Sequence, residues 1–312
     1  MISMRYHIVS LAAIFLALAL GIVLGATKIS SPLITGLESN NADLSSQHDE
    51  LTTTNKDLAD QVAADEKFAG AVGALTVRGT LPKSNVVVIT TASADPADRD
   101  AVLSLLNRAG ATVTAQIQLT NDFSDPARAD ELRSVAATTL PTGVTLPEVP
   151  QAGAIAGGLL GSVLIAPADG AAPASPEQGA AVLAALTSAG FITVTGTPVA
   201  GQSVVILTGG EVTGGSEADR AGAVGYFANQ LGQTATGVVV AGRTGSEGEA
   251  GTVGVIRGDT ALSATVTTVD NLDTASGRIA TVLGLVEQNG GGVGRYGFGD
   301  NAQAQVPTLA VG

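Results

Sequence analysis

Histidine and cysteine supply much of the catalytic and metal-binding chemistry of proteins, and this chain has very few of them. Its 312 residues include no cysteine, and the two histidines are His7 and His48. Thiolate zinc sites and Ser-His-Asp catalysis therefore lack the residues they need in the long segment after His48. Copper favours Cys, Met and His, and both methionines stand within the first four residues. We expect no metal site, no cofactor and no enzymatic activity.

Carboxylates are the remaining candidates for chemistry. Asp270, Asn271 and Asp273 follow a predicted last strand, Leu262 to Val269, so they stand at the carboxyl end of a sheet. Ligands bind at that end in α/β folds, which makes these three residues the candidate cleft. Four other aspartates begin predicted helices, where a carboxylate usually caps backbone N–H groups. They are Asp95, Asp98, Asp122 and Asp125.

A phosphate-binding loop is not predicted. Residues 292–297 match the pattern G-x-G-x-x-G, but they follow a predicted helix and begin none, unlike the strand-to-helix loop that cradles a pyrophosphate. The loop after the first strand reads TASADP and contains no glycine. The pattern indicates a nucleotide-type fold without its nucleotide-binding loop.

Alternating strands and helices occupy residues 81–312. A strand over Asn85–Thr90, a helix to Arg108 and a strand over Thr112–Leu119 form a β-α-β unit, and residues 203–242 repeat this order. We predict an α/β domain, Rossmann-like, with a doubly wound parallel sheet, two duplicated halves and a glycine-rich tail from about residue 289. The apolar stretch from Ala152 to Ala166 is too short to span a membrane and predicts a buried helix.

An apolar run of membrane-spanning length precedes this domain at residues 8–26. A cleaved signal peptide is the alternative, but the run exceeds the usual apolar core of such peptides. Arg5 lies in the short head, residues 1–7, and the positive-inside tendency places that head in the cytoplasm. We predict a single-pass cell-membrane protein with an extracytoplasmic C-terminal domain.

Heptad spacing follows in residues 28–75, predicted to be a coiled-coil stalk. Leucines recur every seventh residue at position d, and the residues three before them, with a later valine, occupy position a. The d residues are Leu37, Leu44, Leu51 and Leu58; the a residues are Ile34, Asn41, His48, Asn55 and Val62. We expect a parallel homodimer, with a foreign partner helix or an ordinary amphipathic helix as alternatives. The net charge of −13 makes nucleic-acid binding improbable.

The N-terminal segment, the heptads and residues 266–297 together resemble the MctB family of actinobacterial envelope proteins. The resemblance implies an actinobacterial source, the label copper transporter and a proposed outer-membrane channel role. For members called SteB it implies cell division, in which a coiled coil and a degenerate Rossmann-like domain outside the membrane help to activate a septal peptidoglycan hydrolase. The family residues that map here, with no chemistry assigned, are Val269, Asp270, Asn271, Gly277, Arg278, Tyr296 and Gly297.

Three hypotheses follow. The first is a non-enzymatic membrane-anchored scaffold that regulates an envelope partner such as a septal peptidoglycan hydrolase. The second is a copper transport or copper homeostasis component, and the third is an enzyme that uses carboxylates at the edge of the sheet. The small number of soft ligands makes direct copper transport the less expected form of the second hypothesis.

Overall fold

A computed structural model describes residues 4–166 and 174–308. Within the first helix, the side chains of residues 27–35 and 38 lie outside this description. The chain divides into two compact units between Asp65 and Glu66, ahead of the stalk boundary predicted at residue 75. The difference arises because residues after Glu66 pack within the second unit, where Gly73 lies against Ile279.

The first helix, α1, covers Met4–Thr76. Its segment Met4–Ala26 is long and apolar enough to cross a membrane, by length and composition. No other helix in the described residues meets both conditions.

The second unit alternates helices and strands. Its strands are Asn85–Thr90 (β1), Thr112–Leu119 (β2), Ile192–Thr195 (β3), Ser203–Leu207 (β4), Gly237–Ala241 (β5), Thr267–Val269 (β6) and Arg295–Tyr296 (β7). Its helices are Pro96–Ala109 (α2), Ala129–Thr138 (α3), Ala152–Leu164 (α4), Pro176–Ser188 (α5), Glu217–Gly232 (α6), Thr252–Gly258 (α7), Thr260–Ser263 (α8) and Ala275–Asn289 (α9). The predicted strand from Leu262 to Val269 is too long, because Leu262 and Ser263 belong to α8 and only Thr267–Val269 pair in the sheet. It is also not the last strand, since β7 follows it.

The strands form one mixed sheet in the order β3-β2-β1-β4-β5-β6-β7. Both predicted β-α-β units are present, since β1 pairs in parallel with β2 and β4 pairs in parallel with β5. Their strands are short runs of β-branched residues, and every residue of β4 and β5 is buried. Continuous apolar strands of this kind are typical of a parallel sheet covered on both faces.

The expectation of a wholly parallel sheet is wrong at one edge, where β3 runs antiparallel to β2. Only residues 196–202 join β3 to β4, and a parallel connection would need a crossover of about a dozen residues. Because β3 is reversed, its carboxyl end lies beside the amino ends of β2 and β1. The link passes them, with Val199 N donating to Thr114 O at 2.9 Å and Gln202 N to Asn85 O at 2.8 Å.

Two apolar clusters cover the sheet, one on each face. Helices α3 to α7 contribute to one cluster, and α2, α9 and the segment from Val77 to Leu81 contribute to the other. The predicted buried helix is confirmed as α4, which packs on α6 with Gly153 and Gly157 at the contact. A Cβ atom on Gly153 would collide with the carbonyl of Ala223, so the two backbones approach closely.

Candidate functional site

The leucine stripe, defined as Leu37, Leu44, Leu51 and Leu58, is the first candidate for a functional surface. These side chains are between 52% and 68% exposed. The polar a residues Asn41, His48 and Asn55 are exposed as well, and so is Val62. The side chain of Ile34 lies outside the described residues. The stripe therefore lacks an apolar partner among the side chains that the structure describes in its own unit.

A buried ion pair lies at the carboxyl end of β6. Arg257 Nη1 donates to Asp270 Oδ2 at 2.6 Å, and both side chains are 1% exposed. The other Arg257 donors reach Thr268 Oγ1 at 2.9 Å and Tyr296 O at 2.8 Å. Asp270 also accepts from the backbone N–H groups of Phe298 and Gly299. Burial lowers the pKa of Arg257, but the paired carboxylate opposes that shift.

Most residues of the family motif surround this ion pair. Gly297 has φ +130°, and a Cβ atom there would collide with the Asp270 carboxylate. A Cβ atom on Gly277 would collide with the carbonyl of Asn271. Tyr296 belongs to β7, and its hydroxyl donates to Glu287 at 2.6 Å; burial is the largest cause that raises the pKa of this phenol. The motif residues thus fix the junction between β6, β7 and α9.

The predicted cleft residues occupy the same junction. Asp270 and Asn271 are buried, and Asn271 Nδ2 donates to Thr274 Oγ1 at 3.0 Å. Asp273 Oδ1 accepts from the backbone N–H of Thr244 at 3.0 Å. All three lie at the carboxyl end of the sheet, where the sequence placed them, and each contacts neighbouring protein groups.

A second ionic network joins α2 to α9. Arg278 Nη2 donates to Asp98 Oδ1 at 2.8 Å, and Arg243 Nε lies 3.5 Å from Asp98 Oδ2. Asp98 is 3% exposed, and burial raises the pKa of its carboxyl against the effect of the two arginines. Asp95 caps α2 by accepting from Ala97 N, which confirms its predicted capping role; this hydrogen bond is the largest cause that lowers its pKa.

A cleft of about 290 Å³ opens at the carboxyl ends of β1, β2 and β4. The chain leaves β1 toward α2 on one face of the sheet and leaves β4 toward α6 on the other face. Such a switch point between neighbouring strands is where open α/β sheets bind ligands. Arg220 of α6 lines this cleft, whereas the predicted cleft residues Asp270, Asn271 and Asp273 do not.

Two of these features were missed by the reasoning from sequence. Arg257 and Arg220 carry no local signal, because Arg257 pairs with a residue outside its own helix and no charged residue makes a hydrogen bond to Arg220 in the described structure. The cleft did have a signal, since residues 208–216 read TGGEVTGGS and connect a strand to a helix. Among the described residues, 4–166 and 174–308, no group of three or more His, Cys, Asp or Glu side chains could hold a metal ion.

Comparison with known proteins gives an end-to-end match. Residues 1–307 match the family model described as "Copper transport outer membrane protein, MctB". The protein named copper transporter MctB in Mycobacterium tuberculosis (strain H37Rv) is 39% identical over 97% of this chain and 98% of its own length. Its namesake in Mycobacterium leprae is 36% identical, with the same coverage of both chains.

Proposed function

The chain belongs to the MctB family, and from this premise we propose that it is a membrane-anchored, non-enzymatic component of copper handling in the cell envelope. The observation that carries this proposal is the end-to-end match to relatives named copper transporter. Those names support the copper hypothesis and make no mention of cell division or of a peptidoglycan hydrolase. We therefore take the copper hypothesis forward in place of the hydrolase scaffold.

The architecture favours a binding role over a conducting one. Only one helix in the described chain is long and apolar enough to cross a membrane, and a single helix encloses no channel. The carboxylate of Asp270 is engaged by Arg257 and by two backbone N–H groups, which leaves it poorly placed to act on a substrate. We propose that the C-terminal unit is extracytoplasmic, as the charge of the short N-terminal head indicates.

The exposed leucine stripe supports a parallel homodimer. Two helices anchored in one membrane by residues 8–26 would start at the same level and run in the same direction. Heptads in that arrangement align without a shift, so each a residue meets its own copy. The pairing would bury the leucines at d and form matched layers at Asn41, His48 and Asn55.

The matched layer at His48 would give copper a place to bind, which departs from the expectation, formed on a single chain, that no metal site is present. Two imidazoles would face each other between the leucine layers at Leu44 and Leu51. Imidazole is a copper ligand in proteins, so two facing imidazoles supply two donors to one copper ion. We propose that one copper ion binds between the two His48 side chains of the dimer, as a substrate held on the stalk.

Titration of the full-length protein in detergent tests the proposal. The protein is titrated with Cu(I) against a competing chelator, beside the variants His48→Asn and His7→Asn. The first variant repeats the asparagine already present at Asn41 and Asn55, so the dimer should persist. We expect about one copper per dimer in the native protein and in His7→Asn, and loss of that site in His48→Asn.

Two outcomes would contradict the proposal. Copper binding that His48→Asn leaves unchanged would place the ion elsewhere. Absence of binding at micromolar copper would leave this chain only an indirect role in copper handling. In that case, copper accumulation in cells that lack the protein would test whether the role exists at all.

A further inference from the structure

The cleft at the switch point between β1 and β4 is independent of the copper proposal and has its own chemistry. Hydroxyl and amide side chains from the loops after β1, β2 and β4 line it. They include Thr91, Ser93, Thr120, Asn121, Ser124 and Thr208. Such side chains both donate and accept hydrogen bonds, and are suited to the hydroxyl groups of a ligand.

Arg220 adds a positive charge to this lining, which also includes the acidic residue Glu211, and an electrostatic interaction links Arg220 to Glu217. Its Nε is buried and has no hydrogen-bond partner in the described structure. Its Nη1 donates only a long bond, 3.4 Å, to the carbonyl of Thr213. Buried donors in proteins are nearly always paired, and a guanidinium pairs best with a carboxylate or a phosphate. The unpaired group therefore indicates an anionic ligand.

Glycines allow the loop after β4 to pack closely against neighbouring loops at one side of the cleft. Gly210 lines the cleft, and a Cβ atom there would lie 2.9 Å from the carbonyl of Thr244. At neighbouring Gly209 a Cβ atom would lie 2.8 Å from the carbonyl of Ser93. Any larger residue at either position would force the loop to move.

The second glycine pair in the same loop excludes one kind of ligand. The backbone N–H of Gly215 donates to Glu217 Oε1 at 2.8 Å. Hydrogen bonds from backbone N–H groups, that of Glu217 first and those of Gly215 and Gly214 among the others, lower the pKa of this carboxyl. The anion-binding turn before α6 is thus filled by the chain's own carboxylate, and a nucleotide pyrophosphate would have to displace it.

We propose that this cleft binds a monosaccharide-sized ligand that carries one anionic group, either a sugar phosphate or a sugar acid. Arg220 binds the anionic group, and the hydroxyl and amide side chains bind the sugar hydroxyls. The volume, about 290 Å³, is at the lower limit of ligand cavities, so it fits one sugar ring and not a dinucleotide.

Calorimetric titration of the full-length protein in detergent tests this proposal with four probes. Glucose 6-phosphate and glucuronate carry both parts of the predicted ligand, whereas glucose and inorganic phosphate each carry one. We expect glucose 6-phosphate or glucuronate to bind at least ten-fold more tightly than glucose and inorganic phosphate do. A preference between glucose 6-phosphate and glucuronate identifies which anion the site takes.

Variants show whether the binding uses the proposed groups. Arg220→Met should weaken the binding of the preferred probe at least ten-fold, and Arg220→Lys should retain part of the affinity. Ser124→Ala is a smaller change that can be used if Arg220→Met does not fold. It should weaken the binding of the preferred probe several-fold. Arg133→Met is the matched control, since Arg133 pairs with Asp130 outside this cleft.

Equal binding by Arg220→Met and the native protein would overturn the proposal, as would the absence of heat with all four probes. Neither result depends on copper, and loss of the copper site in His48→Asn would leave sugar binding intact. The two proposals can therefore fail separately.

Discussion

The two units of the chain place their apolar residues in opposite ways. In the unit that follows Glu66, helices cover both faces of the sheet, and strands β4 and β5 are buried at every residue. In the unit before it, the large apolar side chains described, from Met4 to Val62, are all more than half exposed. The comparison teaches that the second unit contains its own core, whereas the described part of the first leaves its large apolar side chains exposed, so burying them would take surroundings beyond this chain, which we propose to be a membrane and a second copy.

Polar residues differ between the units in the same way. The second unit buries Arg257 and Asp270 as a pair in which each group has several hydrogen-bond partners. The first unit holds His48 and two asparagines on the face that also carries the leucine stripe, and there they are exposed. Buried polar groups must be satisfied by the chain itself, but in the proposed dimer the polar groups of the heptads would be satisfied by the second helix.

Charges placed in the leucine stripe should have the largest effect. The triple variant Leu44→Asp, Leu51→Asp and Leu58→Asp removes three apolar contacts from each helix, each worth about 1.5–3 kcal/mol when buried. We expect the dimer to dissociate completely at micromolar concentration, while the unfolding of the second unit is unchanged. Light scattering in detergent measures the mass, and tyrosine fluorescence in urea follows the unfolding.

The matched control for the stripe places the same charges on the outer face of the heptad. Ser39→Asp, Ser46→Asp and Thr53→Asp occupy position f, away from a partner helix, so the dimer should persist. If both triple variants dissociate, charge alone explains the effect and the heptad assignment fails. If neither dissociates, the stripe is not the contact between the two copies.

Removing one member of the buried ion pair should have the next largest effect. Arg257→Met leaves Asp270 buried without its cation, and breaking a buried pair typically costs about 3–5 kcal/mol. The free energy of unfolding in urea, followed by tyrosine fluorescence, measures the loss. Arg99→Met is the control, because the pair of Arg99 with Asp100 is exposed and should contribute less than about 1 kcal/mol.

The double variant Arg257→Met with Asp270→Asn sharpens this test. It removes both charges together, so no uncompensated ion remains and part of the stability should return. A double variant that is less stable than Arg257→Met would show that the hydrogen bonds of Asp270 to Phe298 and Gly299 matter more than its charge.

A methyl group added at Gly277 should have an intermediate effect. Its Cβ atom would collide with the carbonyl of Asn271, so Gly277→Ala should reduce the free energy of unfolding by about 1–3 kcal/mol. Gly258→Ala is the matched control, since a Cβ atom there meets nothing within 4 Å and alanine favours the helix. Equal stability of the two variants would mean that the junction between β6 and α9 can shift to accept the methyl group.

Reasoning from sequence succeeded where the structure depends on neighbouring residues. The bounds of β1 and β2 follow from runs of β-branched residues, and the buried helix α4 follows from a short apolar run that is too short for a membrane. It failed where the structure depends on distant contacts. The reversal of β3 results from a short link to β4, and the partner of Asp270 is Arg257, which lies on α7.

The candidate site could be located only in part, for the same reason. The sequence placed Asp270, Asn271 and Asp273 after the strand that ends at Val269, and the structure puts them there. It could not show that the open cleft lies instead between β1 and β4. That position depends on the strand order. In the sheet β4 lies beside β1, although β2, β3 and several helices separate them along the chain.

The smallest predicted effect concerns pH and the carboxyl of Asp98, the buried acid that α2 contributes to its contact with α9. Burial raises its pKa in the folded state above the value of about 3.9 in an unfolded chain, so the folded state holds the proton more tightly. The contribution of Asp98 to stability should therefore decrease as the pH rises above about 4 and passes through the raised pKa of the folded state. The difference in unfolding free energy between the native protein and Asp98→Asn measures this contribution, because the contributions of the other carboxyl groups are the same in both proteins and cancel. A difference that increases over this range would show that Arg278 and Arg243 stabilise the carboxylate by more than burial destabilises it.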